Sequence, residues 1–302
     1  VPPSAGSPAS ASPPPPEPAL IGRLLARCRF PERADVDCAV SGGADSLALL
    51  VLACASGRAV TAWHVDHGLR AGSAAEAAVV RVAAERVGAA FRSCTVAVAP
   101  GPSLEARARE ARFGALPVGV LTGHTADDQA ETVLLNLLRG SGLDGLAGMR
   151  GHTQPLLALR RHETRALCRA FGLETIDDPT NTDPAHRRNR VRAEVLPLLD
   201  DVAARDVAAV VARQAALLRD DADLLDELSA AIDPTDARAL AAAPLPLARR
   251  AIRRWLAAPY PPAADAVTRV LAVAGGEAVA CEVDGGRRVR RSGGRLHLDP
   301  SG

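Results

Sequence analysis

Four apolar runs, each followed by a stretch of helical periodicity, confine this chain to very few folds. The runs are ADVDCAV, AVTAWHV, FRSCTVAV and VGVLTGH, and helices are predicted from Ser46, over about Ser73 to Val87, from Ser103, and over Ala126 to Arg139. Strands that read as continuous hydrophobic stretches are covered on both faces, and helix-sized segments between them serve as crossovers joining parallel neighbours. The predicted class is α/β: a parallel sheet with helices on both faces. Ligands of such a sheet bind outside the carboxyl ends of its strands.

After Gly148 the pattern changes. RRHETRALCRAFGL reads as one amphipathic helix, DDPTNTDPAHRRNRVR as a polar loop entering a helix that ends near Leu199, and residues 202 to 231 as helix with an acidic stretch. Residues 233 to 274 read as helical and proline-punctuated, and the last segment as short strands around Gly-Gly turns. The expected organisation is a disordered Pro/Ser/Ala tail over 1–18, the sheet domain over 19–199, a smaller helical domain over 200–275, and a strand-forming tail over 276–302.

With 302 residues and 48% hydrophobic side chains, the chain can bury a full core and a smaller one. No apolar run is long enough to span a bilayer and no signal-peptide pattern opens the chain, so no membrane association and a cytoplasmic location are expected. The six cysteines form no C-x-x-C pair, which disfavours zinc ribbons and disulfide scaffolds. All 36 basic side chains counted as Lys or Arg are arginine, and the net charge is only +1. A nucleic-acid partner therefore has to show in local clusters.

The most informative string is SGGADS, Ser41 to Ser46, at the hand-over from the first strand to its helix. Such a junction carries free N–H donors and the positive end of the helix dipole, so it suits an anion. Gly42 and Gly43 let the backbone approach phosphate oxygens, with Ser41 and Ser46 as added hydroxyls. A plain glycine turn before a helix capped near Asp45 or Ser46 is the structural alternative. The G-x-x-x-x-G-K-[ST] pattern of Walker loops is absent.

SGGADS resembles the PP-loop of the N-type ATP pyrophosphatases, a fold also described as adenine nucleotide alpha hydrolase-like. That family splits ATP between the α and β phosphates. The resemblance implies that Ser41, Gly42, Gly43, Ala44, Asp45 and Ser46 hold the pyrophosphate portion of ATP and that Asp45 helps to place Mg²⁺. Five strings narrow it: HVDHGLR, EARAREARF, GHTADDQAET, LLRGSGLDGLAGM and DPTNTD…RRNRVRAEVLP, which together resemble the tRNA(Ile)-lysidine synthases from about residue 35 to 199. Longer members of that family carry a further C-terminal domain, where this chain has a short strand-forming tail.

The implied partners are free L-lysine and tRNA(Ile) with a CAU anticodon, with a homodimer left open. The implied reaction ligates lysine to C2 of the wobble cytidine through an adenylated base. His124, Asp128 and Glu131 are spaced four and three apart, on one face of a helix at the mouth of the sheet. Two carboxylates there suit a cation, so Asp128 and Glu131 are assigned to lysine binding or activation, with His124 beside them. An acidic helix N-terminus favoured by the dipole is the plain alternative. His64, Asp66 and His67 are assigned to the nucleotide pocket, as the resemblance implies.

Arginine supplies the positive side. Arg109 and Arg112 lie three apart on one helix, and Arg187, Arg188, Arg190 and Arg192 cluster before VLPLL. A positioned guanidinium at the α-phosphoryl group is worth about 3 kcal/mol in an adenylation transition state. Arg109, Arg112 and Arg190 are the candidates for that role; Arg139, Arg188 and Arg192 are assigned to substrate. The same groups could instead hold tRNA phosphates. ARRAIRRW and GGRRVRRSGGR are basic patches suited to a tRNA body. A tRNA thiolase built on the same loop and a nucleotide-binding module without turnover are the rival readings.

Overall fold

The computed structural model describes residues 18–66, 73–97, 107, 110–111, 113–177, 183–258 and 261–299. The helix predicted from Ser103, with Arg109 and Arg112, lies largely outside the described residues, as does His67. The chain divides into two compact units, one ending at Ala216 and the other spanning Leu217–Gly302.

In the first unit, β1 (Asp35–Ala39), β2 (Ala59–Asp66) and β3 (Ala90–Thr95) form a parallel sheet in that order. Val36 pairs with Val60 and Cys38 with Ala62, so the small and branched side chains that made these runs continuously apolar meet in register and are buried. The VGVLTGH run was expected to add a fourth strand. It contributes a single parallel bridge, Cys38 to Leu121, in which the Ala39 N–H donates to the Leu121 carbonyl at 2.8 Å. Beyond Leu121 the chain leaves the sheet, because the Thr122 N–H donates to Thr153 O at 2.8 Å instead.

α1 (Pro18–Leu25), α2 (Ala44–Ala55) and α3 (Ser73–Val87) pack around this sheet. α2 begins two residues before Ser46 and is apolar nearly all round, since it is covered by β1, β2, α1, α3 and α6 (Arg161–Ala170) at once. α4 (Ala126–Leu138) opens on a capping box: the Thr125 N–H and hydroxyl donate to Asp128 Oδ2 at 2.9 and 3.0 Å. A short turn, α5 (Leu143–Leu146), follows.

The arginine-rich string forms α7 (Arg187–Arg190), a π turn over Val191–Val195, and α8 (Leu196–Ala203) with Pro197 in its first turn. The helix expected over 202 to 231 is interrupted. Ala204 adopts a left-handed conformation (φ 49°), and Asp200 Oδ1 accepts from the Val207 N–H at 2.7 Å, which restarts the chain as α9 (Val207–Ala230). The first unit's end falls within that helix.

The second unit contains α10 (Ala237–Ala242), α11 (Leu245–Trp255), α12 (Ala264–Gly275) and an antiparallel sheet of β4 (Ala280–Val283), β5 (Arg287–Ser292) and β6 (Arg295–Asp299). Val283, Val289 and Leu296 from the strands share one core with Leu240, Ile252, Val267 and Val270 from the helices. Among the described residues no helix is long and apolar enough to cross a membrane.

Candidate active site

The loop between β1 and α2 lies at the carboxyl end of the first strand, where an α/β sheet presents its ligands. Gly43 is the N-cap of α2, and no side chain caps that helix. Its first-turn N–H groups therefore face outward as anion donors. Gly42 has φ 89°, and a Cβ there would sit 2.3 Å from Ile176 Cδ1. Its carbonyl in turn accepts from the Ile176 N–H at 2.9 Å. Gly42→Ala is expected to strain the loop by about 1–3 kcal/mol and to weaken ATP binding in calorimetry; an affinity within about twofold of the parent's would show that the loop tolerates a side chain.

Ser46 has a different task from the one its type suggested. Its hydroxyl donates to Gly43 O at 2.8 Å and accepts from the Ser41 N–H at 3.2 Å, so it shapes the loop from within. Ser41 is exposed, and its hydroxyl lies 3.3 Å from the Ser46 hydroxyl. His64 is buried; because a carbonyl can only accept, its Nδ1–H donates to Val40 O at 3.0 Å and props the strand end that enters the loop. Asp66 ends β2 half-buried. Gly123 presses on the first turn of α2, where a Cβ would lie 2.5 Å from Asp45 O.

Asp45, Asp128 and Glu131 converge on Arg161, at the start of α6. Its Nε lies 3.4 Å from Asp45 Oδ2, its Nη2 2.9 Å from Asp128 Oδ1, and its Nη1 3.3 Å from Glu131 Oε1. Two more guanidinium groups close on Glu131, Arg188 Nε at 2.6 Å and Arg192 Nε at 2.7 Å. Arg188 and Arg192 are four apart, so both turn to this side; Arg190 points the other way and pairs with exposed Glu194 at 2.8 Å. Arg190 is thus not part of the cluster. Arg139 is the exposed C-cap of α4 and Arg187 is exposed; neither is brought into it. His124 joins the edge, its Nδ1 2.8 Å from Thr122 Oγ1.

The pocket expected to receive a lysine ammonium is therefore lined by the chain's own cations. Glu131 is fully buried and accepts from all three arginines. A polar side chain so fully buried depends on each of these partners, and removing one leaves an uncompensated group in the interior. Sequence reasoning missed Arg160, Arg161 and Thr164, which lay inside a helix read as amphipathic and given no site role. One signal was available: two adjacent arginines at a helix start oppose the macrodipole, so they need acidic partners from elsewhere.

Those partners come from the first turn of α4 and from the turn that precedes α9. Arg160 forks onto Asp127 at 2.9 and 3.0 Å and also pairs with Asp206, while the Arg161 N–H donates to Asp127 Oδ2 at 2.8 Å. Burial by itself would raise Asp127 and Asp128, but the arginines and backbone N–H groups outweigh it and hold both carboxyls below the usual aspartate range. Asp45 goes the other way: burial dominates and raises it, against the Thr164 hydroxyl and Arg161.

The sign of the pH dependence follows. A carboxyl depressed in the fold contributes stability that is complete above its unfolded value, about 3.9, and is lost as pH falls through the lower folded value. Stability to urea is thus expected to drop below about pH 4, and less steeply in Asp127→Asn and Asp128→Asn; an acid limb unchanged in both variants would mean that these pairs do not persist in solution.

Comparison with known proteins follows the same two segments. A family model for the PP-loop domain matches residues 21–199, and one for the TilS substrate binding domain matches residues 236–297. The tRNA(Ile)-lysidine synthase of Nocardia farcinica is 47% identical over 235 residues, which cover 72% of this chain and 74% of that protein. The chain belongs to the tRNA(Ile)-lysidine synthase family. A second member, the tRNA(Ile)-lysidine synthase of Mycobacterium leprae, is 47% identical over 72% of this chain and 73% of its own. Among solved structures, the U34-tRNA thiolase NcsA from Methanococcus maripaludis with its 4Fe-4S cluster aligns at TM-score 0.51 and 17% identity, over 67% of this chain and 78% of that one. At that identity the likeness concerns the fold alone. Every residue of the cluster, from Ser41 to Arg192, falls within the segment matched by the family's PP-loop domain.

Proposed function

We propose that this chain ligates lysine to C2 of the wobble cytidine of tRNA(Ile), consuming ATP and releasing AMP and pyrophosphate. The observation that carries the reading is the phosphate loop at the end of β1 with three acidic and three guanidinium side chains assembled beside it. The cytidine O2 attacks the α-phosphorus, and the bond to the bridging oxygen of the leaving pyrophosphate breaks. The lysine ε-amine, after losing a proton, then attacks C2, and AMP departs with the O2 oxygen. An anticodon loop offers a base already partly free of its stack.

In this scheme the uncapped first turn of α2 and the Ser41 hydroxyl grip the outer phosphates. Asp45 offers a hard carboxylate oxygen next to them, the donor that Mg²⁺ takes together with substrate phosphates. When bound there, Mg²⁺ neutralises charge on the leaving pyrophosphate. Asp128, held ionised by its arginines, is suited to anchoring the lysine ammonium rather than to taking its proton, because a depressed carboxyl is a weak base. Arg188 and Arg192, a third exposed, can exchange Glu131 for a phosphoryl oxygen. The basic strand β5 of the second unit fits the tRNA body. Such an enzyme works in the cytoplasm.

A thiolase reading fits less well. Its chemistry needs thiolates, whereas burial pushes the thiols of Cys28 and Cys168 up to about 12 and that of Cys54 to about 11. Incubation with ATP, labelled lysine and total tRNA, followed by mass analysis of anticodon nucleosides, tests the proposal. Lysidine appearing only with all three components is the expected result; sulfur in the base, or ATP bound without turnover, would replace it with one of the rivals.

A further inference from the structure

We propose that Arg161 is a positioning residue that ties the phosphate loop to the α4 carboxylates, so that one guanidinium aligns the nucleotide and lysine subsites. The inference rests on the function proposed above and deepens it. Among the described residues, Arg161 alone pairs with all three of Asp45, Asp128 and Glu131, whereas Arg188 and Arg192 reach only the latter two.

The rest of α6 is arranged to fix where that guanidinium stands. The helix start is fastened to α4, since Asp127 accepts from the Arg161 N–H and from the Arg160 side chain. One turn on, the buried Thr164 hydroxyl donates to Asp45 Oδ1, and one turn further the Cys168 thiol donates to Ala44 O at 3.2 Å. Positions 161, 164 and 168 share a helix face, so α6 lies along the first turn of α2 and holds the two acid-bearing elements at a set separation. Thr164 touches only the loop side of this arrangement. Arg161 touches both sides.

That difference gives the test. Arg161→Lys keeps the charge but replaces the planar fork with a compact ammonium that cannot span three carboxylates. In the full chain it is expected to raise the dissociation constant of Mg²⁺-ATP, read by calorimetry without tRNA, and the lysine KM, each roughly tenfold, the scale of a lost charged hydrogen bond. Thr164→Val, which removes no charge, is expected to weaken Mg²⁺-ATP binding and leave the lysine KM within about twofold. A merely structural role would lower the folded fraction, seen by circular dichroism, and move neither constant. The inference is overturned if folded Arg161→Lys shifts only one of the two, or if Thr164→Val shifts the lysine KM equally. Should the parent chain form no lysidine, the proposed function falls by itself, while ATP affinities unchanged in both variants would overturn the positioning role independently.

Discussion

Replacing Glu131 by glutamine is expected to cost the folded chain about 3 kcal/mol or more, read as a lower urea midpoint at unchanged slope. The carboxylate is fully buried, and Arg161, Arg188 and Arg192 all donate to it. Removing its charge leaves guanidinium groups facing an amide that donates as well as accepts, and Arg161 is only 16% exposed. Water can relieve Arg188 and Arg192 in part, at 36% and 31% exposure, which keeps the expectation at the lower end of the range for broken buried pairs. The variant should also need more lysine for half-maximal turnover. A midpoint equal to the parent's would mean that the three arginines do not depend on this acid.

Asp45→Ala carries the opposite combination: pyrophosphate release should fall by at least about a hundredfold while the fold survives. Burial already opposes ionisation of this carboxyl, so its removal relieves a desolvation cost. The groups it leaves have other partners. The Thr164 hydroxyl can donate to Arg161 O at 2.8 Å, and Arg161 keeps Asp128 at 2.9 Å. Release of labelled pyrophosphate in the presence of tRNA and lysine decides the matter, and turnover equal to the parent's would take Asp45 out of the chemistry.

Local pattern made the sheet, its helices and the loop legible. The α3 boundaries, the strand–loop–helix junction at Ser41 to Ser46, and the Gly-Gly turns of the last strands all follow from residues close together in the chain. Spacing alone also puts Arg188 and Arg192 on one face and Arg190 on another. What stayed hidden depends on how helices cross. Arg161 lies 116 residues from Asp45 and 30 from Glu131, and no periodicity within α6 announces which of its polar residues faces α2. The single bridge at Leu121 and the left-handed break at Ala204 were missed for a related reason: competing partners, Thr153 O and Asp200, come from outside the run being read.

The thiol of Cys168 sits against the first helical residue of the loop, and burial pushes it up to about 12. Electrophilic inhibitors aimed at sulfur would therefore find no reactive thiolate at Cys168, beside the proposed ATP subsite. A covalent strategy against this centre would have to address oxygen or nitrogen nucleophiles, or engage the arginines reversibly through an anionic warhead.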